Sequence, residues 1–165
     1  MKFAFYAPFK PIDHATPSGD LIIARSLYYF LRSRGHTVEA ASRLRARWIY
    51  FKPWLWVRVL ADIVRILKQL HKDRPDAWIT YHTYYKAPDV IGPAVCRILG
   101  IKYIIFQGIY STKRRRRFKT VFGFHLNRLA LKQADHVFTN KGADLKNLAR
   151  IIPPDRLTYI RPGIR

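Results

Sequence analysis

The sequence predicts an α/β protein, three layers deep (α/β/α), built on a parallel sheet of about six or seven strands. Three observations predict it. Short apolar runs alternate along the chain with longer stretches whose apolar residues recur every three or four positions. Each unit takes roughly 25 to 30 residues, enough for a strand, a covering helix and a return to a parallel neighbour. Two of the helical stretches end at glycines, Gly35 and Gly100, where a left-handed stop residue belongs.

The elements follow in order. Phe3 to Ala7 is the apolar heart of a first strand, Lys2 to Phe9. Ser18 to Arg34 reads as a helix, with Leu21, Ile22, Ala24, Leu27, Tyr28 and Leu31 on its apolar side. His36 to Ser42 reads as a second strand that turns Val38 and its alanines inward. Arg43 to Lys52 is basic and aromatic, without a clear period. Pro53 to Lys72 carries the strongest helical pattern: proline at the start, where its missing amide hydrogen costs nothing, and a polar stripe of Arg58, Asp62, Arg65, Gln69 and Lys72. Arg74-Pro75-Asp76 breaks it. Asp76 to Thr83 is a buried third strand, Pro88 to Gly100 a helix, and Lys102 to Gln107 a fourth strand. Val121 to Gln133 reads as a helix whose apolar side holds Phe122, Leu126, Leu129 and Ala130. His136 to Asn140, Ala143 to Arg150 and Leu157 to Ile160 complete the pattern as strand, short helix and last strand.

At 165 residues and 49% apolar, the chain fits one domain with a core of its own. Its charge is the outlier: 31 Lys plus Arg against 10 Asp plus Glu, a formal net charge of +21. Such an excess attracts nucleic acid, anionic lipid or a phosphorylated substrate without choosing among them. The single cysteine, Cys96, excludes an internal disulfide and a thiolate metal cluster. The histidines have no paired spacing, so no metal site is expected. No run reaches the ~18 apolar residues of a membrane span, and the amino terminus lacks the apolar core of a signal peptide. A cytoplasmic protein able to rest on a surface is the expectation.

Ligands of open parallel sheets bind beyond the carboxyl ends of the strands. Three stretches fall there. The first, after strand one, contains His14, Ser18, Gly19 and Asp20; a glycine lets backbone approach a ligand, and a helix start offers free amide hydrogens. Ser18 or Asp20 can equally do no more than cap the helix. The second supplies His82, Tyr84 and Lys86, and the third Gln107 and Tyr110. Hydroxyls, imidazoles and an amide suit carbohydrate, and a lysine suits phosphate. His82 and Gln107 are the candidates for a catalytic role, against the alternative that His82 is satisfied by nearby backbone.

The order of elements, the Pro17-Ser18-Gly19-Asp20 turn, Gly35-His36-Thr37-Val38, the Tyr81–Asp89 segment and Pro162-Gly163-Ile164 together resemble the amino-terminal half of a family 4 retaining glycosyltransferase with the GT-B fold. The resemblance implies a Rossmann-like domain over residues 1–162, with 163–165 beginning an interdomain linker. It further implies a nucleotide-sugar donor as substrate, no cofactor, and a carboxy-terminal donor domain as partner, in the same chain or another. In that family the donor domain carries a pair of glutamates. This sequence has one glutamate, Glu39, so the resemblance implies half an enzyme, expected to be inactive alone. Relatives often place a histidine after strand four. Gln107 stands there instead and cannot exchange protons near neutral pH.

Two basic regions remain. Between Arg43 and Arg74 nine Lys or Arg face two acids, with Trp48, Trp54 and Trp56 among them, and Lys113-Arg114-Arg115-Arg116-Arg117 is a second cluster. Aromatic rings beside cations suit an interfacial helix among lipid headgroups, so Trp54, Trp56, Arg58 and Lys113–Arg117 are candidates for docking on the inner face of the cell membrane, beside a lipid-linked or glycan acceptor. Packing of the Trp-rich helix on the sheet is the plainer alternative. A polyanion-binding module for RNA or other nucleic acid is the competing class; no recognition motif for a specific nucleic acid is present.

Overall fold

The computed structural model describes residues 1–161. Its centre is one six-stranded, wholly parallel sheet in the order β2-β1-β3-β4-β5-β6, formed by β1 (Lys2–Tyr6), β2 (Thr37–Ala40), β3 (Ala77–Tyr81), β4 (Lys102–Phe106), β5 (His136–Thr139) and β6 (Leu157–Tyr159). Five helices connect them: α1 (Gly19–Ser33), α2 (Pro53–Lys72), α3 (Gly92–Leu99), α4 (Phe118–Gln133) and α5 (Gly142–Leu148). The Pro162-Gly163-Ile164 motif and the expected linker lie outside the described residues.

The strand order dictates the layers. Parallel crossovers are right-handed, so the leftward step from β1 to β2 puts α1 on one face. The rightward steps put α2 to α5 on the other. The core divides accordingly. Alternate β1 and β3 residues Phe3, Phe5, Ile79 and Tyr81 pack with Ala24 and Tyr28 of α1. Ala4, Tyr6 and Trp78 meet Ile66 of α2, Val95 of α3, Leu131 of α4 and Leu148 of α5. The three predicted layers are present, unevenly filled.

Two packing expectations need correcting. On β2 only Val38 is buried; Ala40 is exposed and Ala41 partly so. This is the sheet's edge strand, and an edge has a neighbour on one side only. On α4 the apolar stripe read from the sequence turns inward only in part, at Ala130 and partly at Leu126. Phe122 and Leu129 are exposed, while Thr120, Gly123, Phe124, Asn127, Ala130 and Leu131 are buried. The polar members of that inner face explain the rotation. Thr120 Oγ1 donates to the Arg114 carbonyl at 2.7 Å, and Asn127 Nδ2 donates to the Ile109 carbonyl at 2.8 Å, so both satisfy connecting loops from within the helix layer.

Candidate functional site at the carboxyl edge of the sheet

The sheet changes direction between β1 and β3, and the loops beyond those strands open a crevice there. The start of α1 forms one wall. Ser18 is its N-cap and accepts from the Leu21 amide at 3.4 Å, so the capping alternative holds for that side chain. At Gly19 no atom beyond its chain neighbours and the backbone of its own helix lies within 4 Å of where a Cβ would stand. His14 accepts from the Thr16 amide through Nδ1 at 3.2 Å, inside its own loop. Arg25 pins that loop by donating to the carbonyls of Ile12 and His14, at 2.7 and 3.1 Å.

Asp20 and His82 meet across the crevice. Asp20 Oδ1 is 3.1 Å from His82 Nδ1, close for a charge contact but out of line for a good hydrogen bond. Both ring nitrogens are buried, and Nε2 has no partner among the described residues. Burial holds the imidazole below the usual histidine range, with the Asp20 carboxylate pulling it back up. The ring stacks on Tyr84, centroids 4.8 Å apart, and Phe9 packs edge-on against Tyr84 and tilted against His82. Burial raises the Tyr84 phenol to about 12, so it stays a hydrogen-bond donor at any working pH.

A second compartment adjoins the first through Tyr81. The Tyr81 hydroxyl donates to Gln107 Oε1 at 2.7 Å, and Gln107 Nε2 donates to Asn140 Oδ1 at 3.0 Å. The chain of side chains thus steps over the ends of β3, β4 and β5. Beneath it lies a cavity of about 240 Å³, lined by Ile23 and Leu27 of α1 and by Phe106, Phe138 and Arg161. The hydroxyl of Thr139, also at the cavity, has no partner among the described residues.

Backbone geometry marks the same places, and also Trp48 ahead of α2. His82 and Gln107 have φ of 59° and 62°, in the left-handed region that ordinary residues avoid. Each is held there by its own amide: His82 donates to the Phe106 carbonyl and Gln107 to the Phe138 carbonyl, both at 2.8 Å. The sheet ladder runs one residue past each strand while the side chain swings out of the pleat. Strain of this kind collects where a side chain must be aimed.

Behind His82 the loop is tied down by hydrogen bonds. Asp89, fully buried, accepts from the Thr80 hydroxyl, the Tyr103 hydroxyl at 2.9 Å, and the amides of Ile91 and Gly92 at 2.9 and 2.8 Å. Thr83 Oγ1 donates to Asn127 Oδ1 at 2.9 Å and accepts from the Asp89 amide at 3.0 Å.

The remaining expected residues disperse. Tyr110 is buried in the core against Phe124 and does not reach the crevice, because Asn127 draws the Ile109 carbonyl under the helix layer. Lys86 lies over the rings of Trp48 and Tyr85, at 5.8 Å from each. Trp56 is partly buried against the core and Trp54 is exposed, so the structure separates the two. Arg58 faces a groove of about 720 Å³ beside β2, with Arg43 and Arg65. Arg114 stacks on Tyr85 at 4.6 Å, and the rest of Lys113–Arg117 is exposed. Asn140 and Asp89 carry the site without having been singled out as site residues. Asn140 was within reach, as the last residue of the expected fifth strand. Asp89 meets the amides of Ile91 and Gly92 locally, at the start of α3, but its bonds to Thr80 and Tyr103 come from separate strands and leave no signal in the sequence.

No family model matches the sequence, and the search of curated proteins found no match. Solved structures do share the fold. Anabaena Alr3699/HepE in complex with UDP superposes with a TM-score of 0.64 at 13% identity, over 99% of this chain and 44% of that one. UDP-GlcNAc 2-epimerase from Methanocaldococcus jannaschii gives 0.54 at 13% identity, over 96% of this chain and 45% of that one. The fold is thus that of a Rossmann-like half of the GT-B type. The chain spans less than half the length of the structures it resembles.

Proposed function

We propose that this chain is the acceptor-side half of a family 4-type retaining glycosyltransferase, acting from a nucleotide-sugar on a membrane-proximal or lipid-linked acceptor. The observation that supports it best is positional. The strained His82 and Gln107, Asp20 and Asn140 converge at the carboxyl edge of the sheet, in a fold that aligns over nearly its whole length with under half of a UDP-bound protein. The cleft residues are hydrogen-bonding groups fit to orient sugar hydroxyls: a phenol, an amide pair and a neutral imidazole. Gln107 positions and does not exchange protons. The nucleotide-sugar then needs a second domain as its opposite wall, and the chain is a peripheral protein of the inner membrane face.

A panel of UDP- and GDP-sugars with lipid-linked acceptors tests this. The 165-residue chain alone gives no turnover, and transfer appears when a second Rossmann-like domain is supplied, with the anomeric configuration retained. Transfer by the chain alone, or products of inverted configuration, would overturn it.

A further inference from the structure

The outer surface of the helix layer opposite α1 has properties that neither the core nor the crevice uses. Along α2 it presents Trp54, Val57, Leu60 and Val64, of which Trp54 is 65% and Val57 70% exposed. Along α4 it presents Phe118, Phe122 and Leu129, with Phe118 at 80%. Each set follows helical spacing, so each is a stripe, and the crossover direction puts both stripes on the same side of the sheet. The amino-terminal ends of the two helices are neighbours. Tyr50, just before α2, packs where a Cβ of Gly123 in α4 would stand, and Arg114, just before α4, covers Tyr85 beside it.

The charge around the α4 stripe is one-sided. No acid occurs between Asp89 and Asp135, while Lys113–Arg117, Lys119, Arg128 and Lys132 lie within that span. Both helices also begin against their own dipole. Lys52 caps α2 and Arg117 caps α4, neither with a side-chain hydrogen bond, and neither first turn holds an acidic residue. Cations at a helix start repel its partial positive charge. Neither a side-chain cap nor a first-turn acid offsets this; an external anion would.

We infer that this face docks on an anionic bilayer, with the apolar stripes at the headgroup–acyl boundary and the cations of Lys52 and Lys113–Lys119 on lipid phosphates. A bilayer is the occupant that meets both demands at once. A nucleic acid would take the cations and leave Val57, Leu60, Val64 and Leu129 in water. A second copy would oppose two faces of a chain carrying +21. The inference extends the reading of a membrane-proximal acceptor and changes its residues: Trp54 stays, Trp56 and Arg58 leave, and the exposed residues of α2 and α4 enter.

Vesicle co-sedimentation of the 165-residue chain tests it, at about 0.15 M salt where loose charge attraction is screened. Vesicles containing phosphatidylglycerol should bind the chain and pure phosphatidylcholine should not. Trp54 emission should shift blue, identified by its loss in Trp54→Phe. Changing the exposed Arg115, Arg116 and Arg117 to Ser should weaken binding at least tenfold. Changing Val57, Leu60 and Val64 to Gln should remove the part of binding that survives raised salt, with circular dichroism unchanged because these side chains are exposed. Absence of sedimentation with phosphatidylglycerol overturns the inference. So does a Gln variant that binds like the parent, or RNA binding of equal strength and salt resistance. Self-association blocked by the same Gln changes, without vesicle binding, would assign the face to a second copy. Vesicle binding without any sugar transfer leaves the docking standing and removes only the enzymatic reading; transfer to a soluble acceptor without vesicle binding does the reverse.

Discussion

The carboxylate of Asp20, in the first turn of α1, stands 3.1 Å from the imidazole of His82, the first residue beyond β3. The pair spans the point where the sheet reverses its order, and its two members oppose each other electrostatically. Burial drives the imidazole toward its neutral form, and Asp20 favours the charged one. Burial has the larger effect, Lys141 adds to it, and Asp144 works with Asp20.

The sign of the resulting pH dependence follows. A histidine whose folded-state pKa is depressed adds stability above the unfolded value, ~6.5, and that stability is lost as pH falls through the folded value. Asp20→Asn removes the largest opposing influence, so the His82 resonance should titrate lower still in an NMR pH series. Unfolding by urea at about pH 5 and pH 7.5 should show a larger acid loss in the variant than in the parent. A His82 that titrates at or above the usual histidine range would contradict the burial account.

Gln107 allows strain and hydrogen bonding to be separated. Ala and Gly at this position both lose the bonds to Tyr81 and Asn140, leaving the buried Tyr81 hydroxyl without its acceptor. Only glycine is at ease at φ 62°. Both variants should be less stable than the parent by about 1–3 kcal/mol, with Gln107→Gly the milder by about 1 kcal/mol. Equal urea midpoints for the two would show that the left-handed backbone at Gln107 carries no strain.

Much of this was legible in the chain. Alternating periods gave the parallel sheet, and the strand-end rule led to Asp20, His82 and Gln107, because a side chain's place along a strand depends on local sequence. What it hid depends on contacts distant in sequence. The inner face of α4 could not be read from hydrophobicity, since Thr120 and Asn127 are buried by bonds to loop carbonyls. The network from Thr80 and Thr83 through Asp89, closed by Tyr103 and Asn127, joins β3, β4, α3 and α4, and only the Asp89 bonds to the Ile91 and Gly92 amides are local. Tyr110, polar and at a strand end by sequence, is buried for the same reason.

Asp89 should therefore matter more than a buried carboxylate usually does. Burial raises its pKa, yet four donors converge on it. Asp89→Ala leaves the amides of Ile91 and Gly92 without an acceptor at the start of α3 and should cost about 3 kcal/mol or more. Asp89→Asn keeps one acceptor oxygen and should cost less. Thermal unfolding of both variants measures the order, and an alanine variant as stable as the asparagine one would show the network to be dispensable.

Gly123 couples the helix layer to the crevice. A Cβ there would meet the Tyr85 carbonyl and the Tyr50 ring, and the carbonyl, being backbone, has no rotamer through which to yield. Gly123→Ala should therefore destabilise the protein by about 1–3 kcal/mol through overpacking, despite alanine's better helix propensity, worth about 1 kcal/mol in the other direction. The displaced segment is the one that carries Tyr84 and Lys86, and Tyr85 packs on Trp48 at 6.3 Å. Two readouts should move together: a lower urea midpoint, and a changed emission from Trp48, assigned with a Trp48→Phe control. A fall in stability with Trp48 emission unchanged would place the strain within α4 itself and separate the helix layer from the crevice loop.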